Sequence, residues 1–287
     1  MSKAIVVGGG PAGVSAALYI KRAKIDVTII ANGIGALEKA DRIENYYGFA
    51  EPVNGRELVE QGLENARRIG CEIQNDEVLA ISWNGNYTVK TRGGEYEAEA
   101  VILATGAARN TPNIPGIREY EGKGVSYCAV CDAFFYRGKD VAVLGAGEYA
   151  LHEAMELAPV VRSVTLLTNG LQPAVALPEN ITYDARKINS FEGEETIRRV
   201  RFADGGSLEI AGVFVAVGVA SSSDLAKKLG AEINGNSIVV SPKMETNLPG
   251  LFAAGDCTGG LLQISKAVGE GAIAGTEAIK FIRALNQ

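Results

Sequence analysis

Residues 4–30 read AIVVGGGPAGVSAALYIKRAKIDVTII, and this stretch decides the fold of the chain. Its apolar start predicts a short buried strand, and the segment after the glycines repeats apolar residues at the spacing of one helical face. Between them, Gly8, Gly10 and Gly13 form G-x-G-x-x-G. Such a strand–loop–helix unit binds the pyrophosphate of a dinucleotide, because glycines let it approach the backbone and the helix N-terminus attracts anions.

The same pattern recurs near the middle of the chain. An apolar run at 141–144 precedes GAGEYA at 145–150, a helical stretch and another apolar run at 163–167. Two such starts in 287 residues predict an α/β protein with two Rossmann-like, three-layer domains that bind FAD or NAD(P).

The second strand of the first unit ends without an acidic residue. NAD sites place a carboxylate there for the ribose hydroxyls, whereas this chain continues with Ala31 and Asn32. The missing acid therefore weakens the case for NAD at the first glycine motif and does not exclude FAD. A later apolar run at 251–254 ends in Gly255 and Asp256, and a helical pattern follows over about 263–285.

Composition and charge exclude several classes of protein. Hydrophobic residues make up 47% and charged residues 22%, as in globular proteins, so the chain is not disordered. The net charge of −6 argues against nucleic-acid binding, which requires a basic surface. No apolar run reaches the roughly 20 residues of a transmembrane helix, and the N-terminal residues predict a strand rather than a signal peptide. We expect neither nucleic acid nor membrane as a partner, and a cytoplasmic location.

Two of the four cysteines form C-x-x-C at Cys128 and Cys131, followed by Asp132. Two thiols at this spacing can close a small disulfide ring, and an adjacent carboxylate can give a proton to a leaving thiolate. A zinc site needs two further ligands, and the chain offers one histidine, His152, and two isolated cysteines. We therefore expect a redox-active pair and no metal, with two inert buried cysteines as the alternative.

The chain resembles the low-molecular-weight flavin thioredoxin reductases over nearly its whole length. The matching stretches are GGGPAG at 8–13, ENYYG at 44–48, ILATG at 102–106, SYCAVCDAFFYRGKDVAVLGAG at 126–147 and AAGD at 253–256. The resemblance implies a discontinuous FAD-binding domain, 1–112 and 244–287, with a central domain inserted at 113–243 that carries the C-x-x-C. It also implies FAD as the cofactor, a thioredoxin or thioredoxin-like protein as the substrate, and a homodimer.

The resemblance also assigns roles to single residues. Cys131 would exchange electrons with the flavin, Cys128 would attack the disulfide of the partner, and Asp132 would act as acid and base. Asn45 would lie beside the isoalloxazine, and Asp256 would hold the ribityl chain. The other residues expected at FAD are Gly8, Gly10, Pro11, Ala12, Gly13, Asn32, Val78, Ala104, Thr105, Gly106, Gln263 and Ile264.

The central domain departs from the NADPH-using members of that family. Those enzymes carry His-Arg-Arg and a further arginine after the second strand of this domain, where cations meet the 2′-phosphate. This chain has LLTNGLQP at 166–173, without a cation, and Pro173 and Pro178 predict that the usual helix is missing. Glu148 and Tyr149 in the second glycine motif also oppose a pyrophosphate, through charge and bulk.

These departures resemble the ferredoxin-dependent flavin thioredoxin reductases. We therefore expect reduced ferredoxin as the electron donor, with NADPH and a deazaflavin as alternatives. Because ferredoxins are acidic and this chain is acidic too, docking requires a local basic patch. A dithiol oxidase that uses oxygen and a non-catalytic flavin redox sensor are rival functions that the sequence leaves open. The candidate cations for the patch are Arg42, Arg56, Arg67, Arg68, Lys266, Lys280 and Arg283.

Overall fold

The computed structural model describes residues 4–106, 112–174 and 176–287. The chain divides into two compact units. The first unit comprises Met1–Arg109 and Ser221–Gln287, and the second comprises Asn110–Ala220. Each unit is described by itself below.

The strands of the described residues are β1 (Ala4–Val7), β2 (Val27–Ala31), β3 (Glu72–Asn75), β4 (Val78–Asn84), β5 (Asn86–Thr91), β6 (Glu95–Ala98), β7 (Ala100–Leu103), β8 (Val125–Ser126), β9 (Asp140–Leu144), β10 (Ser163–Leu167), β11 (Ile181–Asp184), β12 (Ile188–Gly193), β13 (Ile197–Phe202), β14 (Ser207–Glu209), β15 (Gly212–Val215), β16 (Ile233–Asn234), β17 (Ser237–Ile238) and β18 (Leu251–Ala253).

The helices are α1 (Pro11–Arg22), α2 (Gly55–Arg68), α3 (Ala129–Asp132), α4 (Glu148–Leu157), α5 (Ser222–Leu229) and α6 (Ile264–Leu285). Short 3₁₀ turns lie at Ala36–Lys39, Ala133–Tyr136 and Asp256–Thr258. Among the residues described, no helix has the length and apolar composition that a membrane crossing requires.

The first unit is built on a five-stranded parallel sheet of order β18-β7-β1-β2-β3. Strands covered on both faces need continuous apolar sequence. Accordingly, β1, β7 and β18 read AIVV, AVIL and LFA, and every residue in them is buried. The strand, glycine loop, helix and strand predicted for residues 4–30 are confirmed, with α1 beginning directly after the glycine loop.

Small residues let α1 and α6 pack closely. A Cβ at Gly271 would lie 2.1 Å from the Ala12 carbonyl oxygen, and one at Gly275 would lie 2.6 Å from the Ala16 carbonyl oxygen. A side chain at either glycine would push the helices apart. The close contact therefore holds the N-terminal half of α6 next to the glycine loop that precedes α1.

The second unit repeats the parallel arrangement, with strand order β11-β10-β9-β15-β8. An antiparallel sheet, β12-β13-β14, follows. Strand β11 pairs directly with β10, and residues 168–174 and 176–180 between them contain no helix. This confirms the expectation that the prolines at 173 and 178 remove the usual helix.

The compact units divide between Ala220 and Ser221, whereas the boundary expected from the sequence lay between 243 and 244. In the structure α5 packs on β4, and β17 packs on the 3₁₀ turn at 256–258. The Ser222 N–H also donates to Thr105 Oγ1 at 2.8 Å. These contacts hold segment 221–243 in the first unit. The assignment of FAD to the first unit stays a prediction.

Candidate active site

Most residues expected at FAD lie at one edge of the first sheet. The carboxyl ends of neighbouring parallel strands meet at the same edge, and the loops after β1, β2, β7 and β18 begin there. Backbone bonds join these loops: the Gly8 N–H donates to the Ile30 carbonyl at 2.8 Å, and the Ala104 N–H donates to the Val7 carbonyl at 2.8 Å. The residues brought together are 8–13, Asn32, 104–106 and Asp256.

The three glycines of the first motif differ in whether the fold leaves room for a side chain. Gly8 has φ +119°, and a Cβ there would lie 2.2 Å from the Ala104 carbonyl oxygen. A Cβ at Gly13 would lie 2.0 Å from the Gly8 carbonyl oxygen. Gly10 has an ordinary φ of −78°, and no atom of the described residues lies within 4 Å of the place for its Cβ. Gly8 and Gly13 therefore permit the fold, whereas Gly10 leaves open space at the start of α1.

The N-terminus of α1 fits a pyrophosphate. Within the described residues no side chain caps the helix at Gly10, and Pro11 takes the first helical position. First-turn N–H groups without side-chain caps, together with the positive end of the helix dipole, attract anions. A Cβ on Gly255 would come within 2.9 Å of the Ala12 Cβ, so the loop that carries Asp256 lies against this helix start.

Asp256 is half-buried after β18. Burial raises the pKa of its carboxyl; Lys266 opposes this rise and Glu270 adds to it. The neighbouring Cys257 is fully buried, and burial raises its pKa to about 12. Cys257 is therefore a protonated thiol at neutral pH, and it fills space in the core.

A largely buried ion pair on α6 fixes the loop around Asp256. Lys266 Nζ lies 3.1 Å from Glu270 Oε2, and each side chain is 17% exposed. The ammonium group donates to the carbonyls of Gly255 at 2.9 Å and Gly259 at 2.6 Å. Glu270 in turn accepts from the Gly255 N–H at 2.8 Å. The positive charge of Lys266 is thus paired with Glu270 inside the first unit.

Replacement of Lys266 by methionine is expected to lower the free energy of unfolding by about 3 kcal/mol, because it leaves the largely buried Glu270 without its cation. Chemical denaturation of the FAD-loaded protein measures the loss. Arg67→Met is the control, since Arg67 pairs with Glu64 within one helix and the two side chains are 55% and 73% exposed; there we expect less than about 1 kcal/mol. Equal losses in both variants would contradict the role of the internal pair.

The start of α6 carries the residues expected at the flavin ring. Asn45 Nδ2 donates to Gln263 Oε1 at 2.8 Å, although the two residues lie far apart in sequence. Gln263 is the N-cap of α6, and Ile264 is its first residue. A cavity of about 180 Å³ has Gly10, Tyr46 and Ile264 in its lining, so open space connects the glycine loop with this region.

Asn32 and Val78 lie at the other end of the sheet edge. Asn32 follows β2 and is exposed. The Asp76 N–H donates to the Ala31 carbonyl at 3.0 Å, which brings the beginning of β4, with Val78, close to the end of β2. From Asn32 past the glycine loop to Asp256, the polar and open positions follow one line along the sheet. This arrangement fits an extended dinucleotide such as FAD, although the individual contacts stay predictions.

The second unit carries the sulfur pair as a disulfide between Cys128 and Cys131. Cys128 is the N-cap of α3, and the Cys131 N–H is directed at Cys128 Sγ, with 3.2 Å between N and S. Cys128 is 1% exposed, whereas Cys131 is exposed. The role expected for Cys128, attack on a partner disulfide, therefore requires that its sulfur becomes accessible.

A serine that the sequence did not single out links Asp132 to Cys128. Ser126 Oγ donates to Asp132 Oδ2 at 2.6 Å and accepts from the Cys128 N–H at 3.1 Å. The predicted acid is thus held at the pair. Burial raises the pKa of the nearby Tyr136, and the Asp132 carboxylate adds to this rise, so the phenol stays protonated at neutral pH.

The second glycine motif keeps its Rossmann geometry but carries a charge. A Cβ at Gly145 would lie 2.3 Å from the Ala216 carbonyl oxygen, and Gly147 is the N-cap of α4. Tyr149 is 2% exposed, so its ring is buried and is not the obstacle expected from the sequence. The carboxylate of Glu148 in the first turn of α4 is the feature that opposes a pyrophosphate there.

The connection after β10 folds back onto this glycine motif. The Ala174 N–H donates to the Ala146 carbonyl at 2.8 Å. The connection therefore crosses the edge at which a dinucleotide would stretch from the glycine loop to the end of β10. A cation does approach this turn from elsewhere in the chain: a Cβ at Gly170 would meet the side chain of Lys187 at 3.2 Å.

Most of the cations expected to form a ferredoxin-binding patch are paired with carboxylates. Each such pair largely cancels its own charge, so these residues add little positive potential at the surface. A basic docking patch stays a prediction. The pairs are Arg42–Glu44, Arg56–Glu38, Arg67–Glu64, Lys266–Glu270 and Lys280–Glu277.

Comparison with known families completes the picture of these two sites. The family model for pyridine nucleotide-disulphide oxidoreductases matches residues 2–271. The chain belongs to the pyridine nucleotide-disulphide oxidoreductases. This oxidoreductase is a FAD flavoprotein, as the family resemblance implied.

Similar proteins place this oxidoreductase among the low-molecular-weight flavin thioredoxin reductases. The thioredoxin reductase of Peptoclostridium acidaminophilum is 34% identical over 304 residues, which cover 97% of this chain and 96% of that protein. The crystal structure of the atypical thioredoxin reductase TRi from Desulfovibrio vulgaris Hildenborough is 43% identical, covers 99% of both chains and has a TM-score of 0.92. The crystal structure of a ferredoxin-flavin thioredoxin reductase from Clostridium acetobutylicum is 31% identical, with coverages of 99% and 98% and a TM-score of 0.73. The predicted fold class is confirmed.

Proposed function

We propose that this flavoprotein reduces the disulfide of a thioredoxin with electrons taken from a reduced ferredoxin. The observation that carries the proposal is the Cys128–Cys131 disulfide with Asp132 bound to it through Ser126. Bound FAD supplies the conversion of single electrons into an electron pair.

The side chains at the disulfide can complete the sulfur chemistry. Reduction of the pair consumes two electrons and two protons and gives two thiols. Asp132 takes the proton of the Cys128 thiol, and the resulting thiolate attacks the thioredoxin disulfide. This forms a mixed disulfide and releases one thioredoxin sulfur as a thiolate, which takes that proton from Asp132. Attack by Cys131 on the Cys128 sulfur breaks the mixed disulfide, releases the second thioredoxin thiol and restores the pair.

Two features of the second unit favour ferredoxin over NADPH as the donor. The connection after β10 is bonded to the glycine motif through Ala174 and Ala146, across the path of a dinucleotide. Glu148 adds a carboxylate where a pyrophosphate would bind. NADPH remains the second candidate, because Lys187 lies against Gly170 at the turn where a 2′-phosphate would need a cation.

An exposed apolar patch adjoins the disulfide. Val130, Phe134 and Phe135 are 58%, 71% and 68% exposed. Aromatic side chains exposed to this degree beside a reactive group are typical of protein-binding surfaces. We propose that thioredoxin docks on this patch, which would place its disulfide near the sulfur pair.

The double variant Phe134→Ala, Phe135→Ala is expected to raise KM for thioredoxin about tenfold, because buried aromatic side chains often contribute most of the binding energy of an interface. Initial rates at several thioredoxin concentrations measure this, and kcat should change little. Leu171→Ala, at an exposed apolar residue elsewhere in the same unit, is the control and should keep the wild-type KM. An unchanged KM in the double variant would remove the patch from the docking surface.

The complete reaction tests the proposed function. Reduced ferredoxin, the FAD-loaded enzyme and oxidised thioredoxin are mixed without oxygen, and thiols on thioredoxin are counted. We expect two thiols per thioredoxin disulfide, formed only when all three proteins are present. Absence of these thiols, or oxygen uptake with small dithiols in place of thioredoxin, would contradict the proposal.

We also propose that the enzyme is a homodimer, as the family resemblance implies. Light scattering on the FAD-loaded protein should then give twice the chain mass of 30.1 kDa. The mass of a single chain would contradict this part of the proposal.

A further inference from the structure

Glu153 is a buried carboxylate that the proposed reaction does not use. It lies on α4, the helix that follows the second glycine motif, and it is 1% exposed. Its Oε2 accepts a hydrogen bond from the Ala129 N–H at 2.9 Å. Burial of a carboxylate is costly unless it is well bonded, and Ala129 directly follows Cys128. Its carboxylate therefore holds the peptide group that follows Cys128.

Side chains hold the peptide groups on both sides of Cys128. The Cys128 N–H is bonded to Ser126, which is bonded to Asp132. The next N–H, that of Ala129, is bonded to Glu153. The Cys131 N–H is directed to the Cys128 sulfur. Because the first two N–H groups are engaged by side chains, they are withdrawn from the sulfur.

We propose that Glu153 is a positioning residue that anchors the start of α3 and, through its negative charge, keeps Cys128 protonated to higher pH. This inference rests on the proposed redox role of the Cys128–Cys131 pair. A negative charge near a sulfur opposes the thiolate, and a backbone N–H would favour it. Glu153 disfavours the thiolate in both ways, because its carboxylate is negatively charged and because it accepts the hydrogen bond of the Ala129 N–H.

Other titratable groups lie on the elements around the pair. Asp132 opposes the thiolate in the same direction as Glu153, since it is acidic and linked to Cys128 through Ser126. A Glu153→Gln substitution leaves all of these groups in place, so its effect is separate from theirs. The groups on α3, the turn after it and α4 are Asp132, Tyr136, Glu148, Tyr149, His152 and Glu156.

The pH profile of the Cys128 thiolate tests the effect of the charge. FAD-loaded protein carrying Cys131→Ser is titrated, and the thiolate is followed by its ultraviolet absorbance after subtraction of the protein that carries Cys128→Ser and Cys131→Ser. Added Glu153→Gln keeps an oxygen acceptor and removes the charge. We expect the midpoint to fall by roughly one pH unit. Glu156→Gln, on the same helix and 43% exposed, is the matched control and should leave the midpoint unchanged.

Hydrogen exchange tests the anchor. Glu153→Ala removes the acceptor as well as the charge, so exchange at the Ala129 amide should become about tenfold faster, while Glu153→Gln should keep it slow. An unchanged or raised midpoint in Glu153→Gln would overturn the inference, and so would unchanged exchange in Glu153→Ala. Should the alanine variant fail to fold, the midpoint of the Cys128 thiolate in the glutamine variant still tests the inference. Neither measurement uses ferredoxin or thioredoxin, so failure here is distinct from failure of the proposed function.

Discussion

Cys128→Ser should reduce thioredoxin at least about a thousandfold more slowly than the wild type, because the variant lacks the nucleophile that forms the mixed disulfide. Reduction of the bound flavin by the electron donor should persist, since it precedes the sulfur chemistry. The two steps are measured separately: flavin absorbance for the first, thioredoxin thiols for the second. Normal flavin reduction together with lost thioredoxin reduction identifies a residue that acts only after the flavin is reduced.

Cys71→Ser is the matched control for this result. Cys71 is buried in the first unit, and burial raises the pKa of its thiol, so it is a poor nucleophile. Its replacement should leave both steps intact. Cys128, the predicted attacking cysteine, is 1% exposed, whereas Cys131 is exposed. A trapping experiment is therefore needed to show which of the two forms the mixed disulfide. Cys131→Ser should retain a mixed disulfide with thioredoxin. If Cys128→Ser traps it instead, the two cysteines exchange roles; full turnover by Cys128→Ser would refute the mechanism.

Gly10→Ala should lower the affinity for FAD about a hundredfold, or roughly 3 kcal/mol. The backbone at Gly10 suits any residue, and in the part of the chain that the structure describes no atom approaches the place for a Cβ. The fold therefore has no need of glycine there, whereas a pyrophosphate that approaches the backbone does. Fluorescence titration of the apoprotein with FAD measures the affinity, and thermal unfolding of the apoprotein should be unchanged.

Gly94→Ala separates this effect from a general cost of replacing glycine. Gly94 also has open space around its Cβ position and lies in the β5–β6 turn, away from the glycine loop. Wild-type FAD affinity is expected in that variant. Wild-type affinity in Gly10→Ala as well would show that the pyrophosphate does not lie against the start of α1.

Local patterns in the sequence predicted much of the architecture. The apolar runs, the glycine motifs and the two prolines act within a few residues of themselves, so the parallel strands, the start of α1 and the absence of a helix in the described connection after β10 could be derived from them. The pairing of the two cysteines in the C-x-x-C likewise needs no distant residue, and the disulfide confirms that they pair with each other.

Contacts between distant residues could not be predicted in this way. Glu153 looked like one more charged residue on a helix, and only the packing of α4 shows that its carboxylate reaches the Ala129 N–H. Lys187 reaches the turn at Gly170 because β11 pairs directly with β10. Lys266 was counted among surface cations, yet it is paired inside the first unit. In each case the sequence shows the residue type but not its partner.

Anaerobic reduction of the bound flavin, with one donor at a time, tests the central claim most directly. The claim is that the second unit has kept a dinucleotide fold without a working nucleotide site, so that electrons enter from a protein donor. Reduced ferredoxin should bleach the visible flavin absorbance completely, while NADPH should leave it unchanged over the same time. Rapid bleaching by NADPH, lost again in Lys187→Ala, would contradict the claim and assign the nucleotide site to the turn at Gly170.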